Sequence, residues 1–215
     1  ILAGGTDLLI GIHDGLATPT CLVDVKRIPE LHLLRPNPDG SLTIGACVTV
    51  NQLLESSTLP GGMEALRQAA SLLGTYQVRN RATIGGNICN ASPACDMAPP
   101  LLVLGASVVA ASPRGQRTIA LKDFFECPKV TCLNKHEIVT AIEVPSSKGT
   151  VSCFAKRTRI RGHDLAVVNA AAAYIPEGGL KLALGAVAPR PLLIEGFNGI
   201  RLGERRQIVE TVLGT

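Results

Sequence analysis

Three turn sequences do most to limit what this chain can fold into. Asn37-Pro38-Asp39-Gly40, Pro113-Arg114-Gly115 and Pro176-Glu177-Gly178-Gly179 each lie between short apolar runs. Proline presets the first turn angle and glycine supplies the left-handed one, so the flanking runs are expected to pair as antiparallel hairpins. The expected strands are 107–111 with 117–120, then 138–144, and near the C-terminus 152–157, 166–174 and 180–187. Apolar runs at 1–3, 21–25, 31–34 and 42–44 add shorter pieces. Helices are expected at 49–56, at 63–73, at 98–104 and at 204–213. In the second of these Leu66, Ala69, Ala70 and Leu73 recur on one face, and in the third two prolines suit a first turn. Strands in hairpins with helices interspersed, rather than regular βαβ repeats, predict an α+β fold.

The chain has 215 residues, of which 46% are hydrophobic, 18% charged and only 3% aromatic, with no Trp. A core of Val, Ile, Leu and Ala follows, and base-stacking platforms do not. The net charge of +4 is a mild excess that suits an anionic cofactor or an acidic partner surface. It is too diffuse for a nucleic-acid groove, which needs clustered Lys and Arg with aromatics between them. No apolar run reaches the roughly 18 residues that a membrane helix needs. The chain opens on Ile1 inside an apolar run, so a preceding segment is expected. Seven cysteines, at 21, 47, 89, 95, 127, 132 and 153, contain no CxxC pair. They signal neither a disulfide framework nor a metal or cluster site, and mostly buried or incidental thiols in a reducing cytoplasm are expected.

Two glycine-rich turns hold the most chemistry. The first is Ala3-Gly4-Gly5-Thr6-Asp7-Leu8; the second is Ala82-Thr83-Ile84-Gly85-Gly86-Asn87, followed by Ser92, Pro93 and Asp96. Without a Cβ the backbone can approach a ligand closely, and successive N–H groups make a concave anion site to which a Thr hydroxyl adds a donor. Two such turns can grip a diphosphate from both sides, or each can be a simple tight turn. There is no GxGxxG opening a helix and no GxxxxGK[ST], so any nucleotide is held outside the Rossmann and P-loop designs. The basic run from Lys156 to Asp164 offers one strand face with Lys156, Thr158 and Ile160 and another with Arg157, Arg159 and Arg161. That run is either a cation for an electron-rich ring or a solvated strand end with Asp164 paired to an arginine. His13, His32, His136 and His163 form no ligand pattern, no GxSxG elbow exists, and no general base stands near Cys89 or Cys95.

The segments ILAGGTDLL at 1–9, TIGGNICNASPACD at 83–96 and FAKRTRIRGHDLAVVNA at 154–170 resemble the signatures of the FAD-binding medium subunit of molybdenum hydroxylases. That family includes xanthine dehydrogenase, aldehyde oxidase and aerobic carbon monoxide dehydrogenase. Asp123-Phe124-Phe125 and the run 185–191 fit the same pattern, and the resemblance spans nearly the whole chain. It implies a two-subdomain FAD-binding fold of the vanillyl-alcohol-oxidase type over 1–147. An α+β C-terminal domain with a three-stranded antiparallel sheet over 148–215 is implied to follow.

By position, the resemblance places Ala3, Gly4, Gly5, Thr6, Asp7 and Leu8 in a first pyrophosphate loop and Thr83, Gly85, Gly86 and Asn87 in a second. It sets Asp96 at the ribityl–phosphate region, and Leu73, Val139 and Lys156 near the isoalloxazine or adenine portions. It implies no catalytic side chain and no metal ligand in this chain. Electrons are expected to arrive from two [2Fe-2S] clusters and a molybdenum cofactor on partner subunits and to leave to NAD+ or O2, with xanthine as the default substrate of the complex. Lys156 is expected to act as a fixed cation beside the reduced flavin. Relative to the family, a strand and a helix before the first loop are missing, and the C-terminal helical region ends early. Cys95 replaces the more usual Ser or Ala. A nucleotide-binding or assembly module without redox function is the main alternative. A self-contained flavin oxidase is disfavoured because no motif for covalent flavin attachment is present.

Overall fold

The structure, a computed structural model, describes residues 1–160, 162–176 and 178–197. In chain order, α1 (Leu8–His13) precedes the hairpin β1 (Leu34–Pro36) and β2 (Leu42–Gly45). Five helices follow: α2 (Val50–Glu55), α3 (Glu64–Leu72), α4 (Tyr76–Arg79), α5 (Ile84–Cys89) and α6 (Ala98–Val103). Next come the hairpin β3 (Ser107–Ser112) and β4 (Gly115–Ala120), the small hairpin β5 (Phe125–Cys127) and β6 (Val130–Thr131), and β7 (Ile138–Val144). The described chain ends on β8 (Val151–Arg157), β9 (Val168–Ile175), β10 (Gly179–Gly185) and β11 (Leu192–Phe197).

The turn chemistry acts as expected. Gly40 at φ +86° closes β1 onto β2, and Asp39 accepts from both the backbone N–H and the hydroxyl of Ser41. Gly115 closes β3 onto β4, and Gly179 closes β9 onto β10. A five-stranded antiparallel sheet results, in the order β1-β2-β7-β3-β4. Thr49 caps α2 through a complete capping box with Gln52, which gives this short helix a defined start. In α6 the prolines occupy the first turn, where no intrahelical N–H is needed, and the whole helix is buried.

The C-terminal sheet has four strands, β11-β10-β9-β8, not three. The additional strand follows Pro189 and Pro191, and its Leu193 and Ile194 register against Ala183 and Leu182. The ion pair Lys181–Glu195, at 2.8 Å, ties β10 to β11. The expected strand 180–187 stops at Gly185 because Ala186 turns to φ +65°. The expected helix 204–213 lies outside the described residues. The main hydrophobic core joins the two larger sheets: Leu66 of α3 and Leu101 of α6 belong to the same buried cluster as Phe154, Ala171, Ala173 and Ala183 of the C-terminal sheet. Val25, Leu31 and Cys47 form a small second cluster against which Ala3 packs. That shared core places the end of the C-terminal sheet beside the segment 92–97.

Candidate cofactor site

The first glycine loop sits just before α1. Gly5 is at φ +78°, a conformation that residues with a Cβ rarely adopt. The N–H groups of Gly4, Gly5, Thr6 and Asp7 donate to no carbonyl or side chain among the described residues, and the loop 3–6 is half-buried. Successive backbone donors left without partners in a concave turn form an anion nest. Asp7 does not cap α1; its carboxylate accepts from Asn90 Nδ2 at 2.9 Å.

The second glycine segment is a helix start rather than an open turn. Thr83 is the N-cap of α5, its Oγ1 accepting from Gly86 N–H at 3.0 Å. Ile84 N–H donates to the carbonyl of Val48 and Gly85 N–H to that of Ala46. These donors, expected to face a diphosphate, are therefore engaged inside the protein. Gly85 is required by packing, since a Cβ there would stand 2.7 Å from Ala46. Gly86 is exposed, and a Cβ on it would meet only the Thr83 hydroxyl, at 2.7 Å.

The two segments adjoin. A Cβ on Gly4 would fall 2.0 Å from the carbonyl oxygen of Arg81, two residues before Thr83, so the first loop lies directly on the approach to the second. With the Asp7–Asn90 hydrogen bond this makes one continuous surface from residues 3–8 to Gly86. Lys129 extends it by donating from Nζ to Asn90 Oδ1 at 2.8 Å.

Asn87 points the other way, into the fold. Its Oδ1 accepts from Cys95 Sγ–H at 2.9 Å and from Met97 N–H at 3.4 Å, which fixes the segment carrying Asp96. Asp96 is buried, at 7% exposure, and forms an ion pair of 2.6 Å with Lys156. Asn169 Nδ2 donates to the second Asp96 oxygen at 2.9 Å. Burial pushes the Asp96 carboxyl above its ordinary value, while the bonds from Lys156 and Asn169 pull against that rise. Lys156 also donates to the carbonyl of Leu72 at 3.4 Å. The neighbouring Leu73 is buried at the end of α3, where Arg79 caps the carbonyls of Leu73 and Gly74.

A profile of the family described as the FAD binding domain in molybdopterin dehydrogenase matches residues 1–147. The chain belongs to that family. It is 34% identical over 194 residues to the glyceraldehyde dehydrogenase medium chain of Sulfolobus acidocaldarius, covering 88% of this chain and 68% of that protein. It is 35% identical over 198 residues to the xanthine dehydrogenase FAD-binding subunit of Escherichia coli, covering 89% and 68%. The solved carbon monoxide dehydrogenase of Hydrogenophaga pseudoflava superposes with a TM-score of 0.90 at 30% identity, over 99% of this chain and 77% of that one.

Lys156 reaches this place from β8. Its side chain is 5% exposed and its ammonium is bonded to Asp96, so a cation and a carboxylate stand together there. Val139 is buried in the core on β7. Of the basic run, Arg159 pairs with Asp164 at 3.2 Å, Arg157 and His163 are exposed, and Arg161 lies outside the described residues. Cys95 is fully enclosed, and burial pushes its thiol, like that of Cys89, up to about 12. Asn169, Asn90 and Arg79 were not singled out from sequence. Asn169 had a signal: along β9 it shares the inward face with Ala171 and Ala173, where an isolated amide needs a partner.

Proposed function

We propose that the chain binds FAD and serves as the electron-transfer subunit of a molybdenum hydroxylase. In this reading a small partner subunit delivers electrons from [2Fe-2S] clusters, a large partner subunit carries the molybdenum cofactor, and NAD+ or O2 accepts the electrons. The observation that carries the reading is the set of four unpartnered N–H groups from Gly4 to Asp7, held against the approach to the second glycine segment. Successive backbone donors, the first two on glycines without a Cβ, suit a diphosphate. The residues present fit the cofactor.

Bound there, FAD supplies an isoalloxazine that carries electrons between one donor and one acceptor. The chain's own residues hold and orient it. Loop 3–8 would hold the diphosphate, Thr83 keeps α5 capped, and exposed Gly86 leaves that surface open. Asn87 places Asp96 from inside the fold, and Asp96 and Lys156 cancel each other's charge at the junction with the C-terminal sheet. No side chain is assigned to proton transfer. We assign 1–147 to the FAD-binding domain, of the vanillyl-alcohol-oxidase type with two subdomains, and 148–215 to the C-terminal domain. All seven cysteines are free, which supports a reducing cytoplasm. No helix among the described residues is long and apolar enough to cross a membrane.

Proteins named for glyceraldehyde, xanthine and carbon monoxide stand at 34%, 35% and 30% identity. The xanthine type expected from the sequence is thus not set apart from the others. Substrate choice is therefore assigned to the molybdenum-bearing partner.

Titration of the chain with FAD, FMN and riboflavin, followed by flavin fluorescence, tests the reading. Tight FAD binding with weak FMN binding is expected, because both phosphates and the adenosine end contribute. Equal affinity for FMN overturns the dinucleotide assignment. Failure to bind any flavin, while partner subunits still bind, makes the chain an assembly module.

A further inference from the structure

We infer that Asn169 is a positioning residue of the cofactor site, fixing the Asp96 carboxylate and, through it, the Lys156 ammonium. The inference rests on the FAD reading above and deepens it. Lys156 on β8 and Asn169 on β9 are directly paired across the strands. Cross-strand partners face the same way, so the sheet presents an ammonium and an amide side by side. Asp96 receives both: Lys156 Nζ on Oδ2 at 2.6 Å and Asn169 Nδ2 on Oδ1 at 2.9 Å. Each carboxylate oxygen thus has its own donor from its own strand, and the carboxylate is held in one orientation.

The other end of the amide shows what the residue is for. Asn169 is 1% exposed, yet its Oδ1 is buried with no hydrogen-bond partner among the described residues. A buried acceptor without a partner costs free energy, and an apolar side chain of the same size would avoid that cost. Oδ1 is instead packed against Gly185, where a Cβ would lie only 2.1 Å away, and the Pro93 carbonyl flanks the same spot at 3.3 Å. Gly185 therefore makes the room that lets the amide turn its Nδ2 toward Asp96. A second Nδ2 bond, at 3.4 Å, reaches the carbonyl of Cys95, next to Asp96. Nearby, Ala186 N–H donates to Pro93 O at 2.8 Å, which docks the end of β10 onto the same segment. Both polar contacts of the amide go to residues 95 and 96, and none goes to the sheet that carries it.

The test compares Asn169→Leu, Gly185→Ala and Asp96→Asn, alone and combined, in the full chain. It measures FAD affinity by flavin fluorescence and the melting temperature of the FAD-free chain. Asn169→Leu is expected to weaken FAD binding by about tenfold, the loss of one hydrogen bond to a charged group. Added to Asp96→Asn it is expected to cause no further loss of affinity, because the group it positions is already altered. Gly185→Ala is expected to reproduce the effect with every polar group retained. The exchange Asp96→Asn with Asn169→Asp, which keeps one carboxylate and one amide in contact, is expected to recover part of the affinity. If Asn169→Leu does not fold, Gly185→Ala and the exchange decide. A lower melting temperature with unchanged FAD affinity, or an affinity loss that simply adds to that of Asp96→Asn, overturns the inference and leaves the cofactor reading standing. A parent chain that binds no FAD overturns both.

Discussion

Glycines that look alike in the sequence carry different burdens, and substitution separates them. At Gly4 a Cβ would strike the Arg81 carbonyl, and at Gly85 it would strike Ala46, so alanine at either site forces backbone apart. At Gly86 it would press only on the Thr83 hydroxyl. Gly86→Ala thus trades a strained cap, worth about 1 kcal/mol, against the similar gain from removing a helical glycine. Its expected stability is within about 1 kcal/mol of the parent, with FAD affinity reduced. Gly4→Ala is expected to lose both, as overpacking typically costs about 1–3 kcal/mol. Thermal melts beside FAD titrations check the pair; equal loss of stability in the two variants would refute the distinction. Lys156 permits a sharper case. Lys156→Met leaves Asp96 buried and unpaired, which is expected to cost about 3–5 kcal/mol, and adding Asp96→Asn is expected to recover much of it. Burial raises the Asp96 carboxyl, and losing Lys156 removes a bond that opposed the rise. A carboxyl raised in the folded state favours folding when protonated, so Lys156→Met should lose stability as pH rises above the ordinary 3.8. Melts at pH 5 and pH 8 check the sign; a variant more stable at the higher pH would reverse it.

Between elements, local polar clasps fix the loops that the sheets leave free. Arg117 of β4 binds Glu137 through Nε at 2.7 Å and Nη2 at 2.8 Å, and Asn134 N–H adds a third bond to the same carboxylate. The Arg117 guanidinium first, then that N–H, hold the Glu137 carboxyl down to about 2. Being lowered in the folded state, it favours folding above its ordinary 4.5, and the contribution fades as pH falls toward 2. A carboxyl titration of Glu137 should show a midpoint near 2 in the parent and a higher one in Arg117→Met, where the Asn134 N–H still opposes a full return to the ordinary 4.5; an unchanged midpoint would detach the arginine from it. Elements of this kind were legible wherever a turn or cap residue announced them: the Gly40 and Gly115 turns, the Thr49 cap, the prolines of α6. Two were not. The Gly85-Gly86 pair reads as a break, yet α5 forms because Gly85 fits against Ala46 and its N–H meets the Ala46 carbonyl, a tertiary contact that outweighs helix propensity. β11 follows two prolines and gains its place from pairing with β10, which its own sequence does not show.

At the level of the whole molecule, the glycine loops were visible in sequence because a loop's chemistry is written in consecutive residues. The junction around Asp96 was only half visible, since Lys156 and Asn169 reach it from strands about 60 and 70 residues away that become neighbours only through the register of β8 with β9. That junction also makes the division at residue 147 a division of sequence more than of stability. α3 packs on β8, α6 packs on β9 and β10, and their side chains share one buried cluster with Phe154, Ala171 and Ala183. A chain whose core crosses its boundary in this way should unfold in one transition. Residues 1–147 alone would expose the faces of α3 and α6 and strand Asp96 without Lys156 or Asn169. The isolated segment is expected to bind a hydrophobic dye such as ANS, to melt without cooperativity and to lose FAD affinity, whereas the whole chain melts in a single step by calorimetry and by circular dichroism alike. Two resolved transitions in the whole chain, with the lower one lost on removing 148–215 and FAD affinity kept, would instead make the C-terminal sheet an independent unit, and the Asp96–Lys156 pair a contact between domains that the cofactor site does not need.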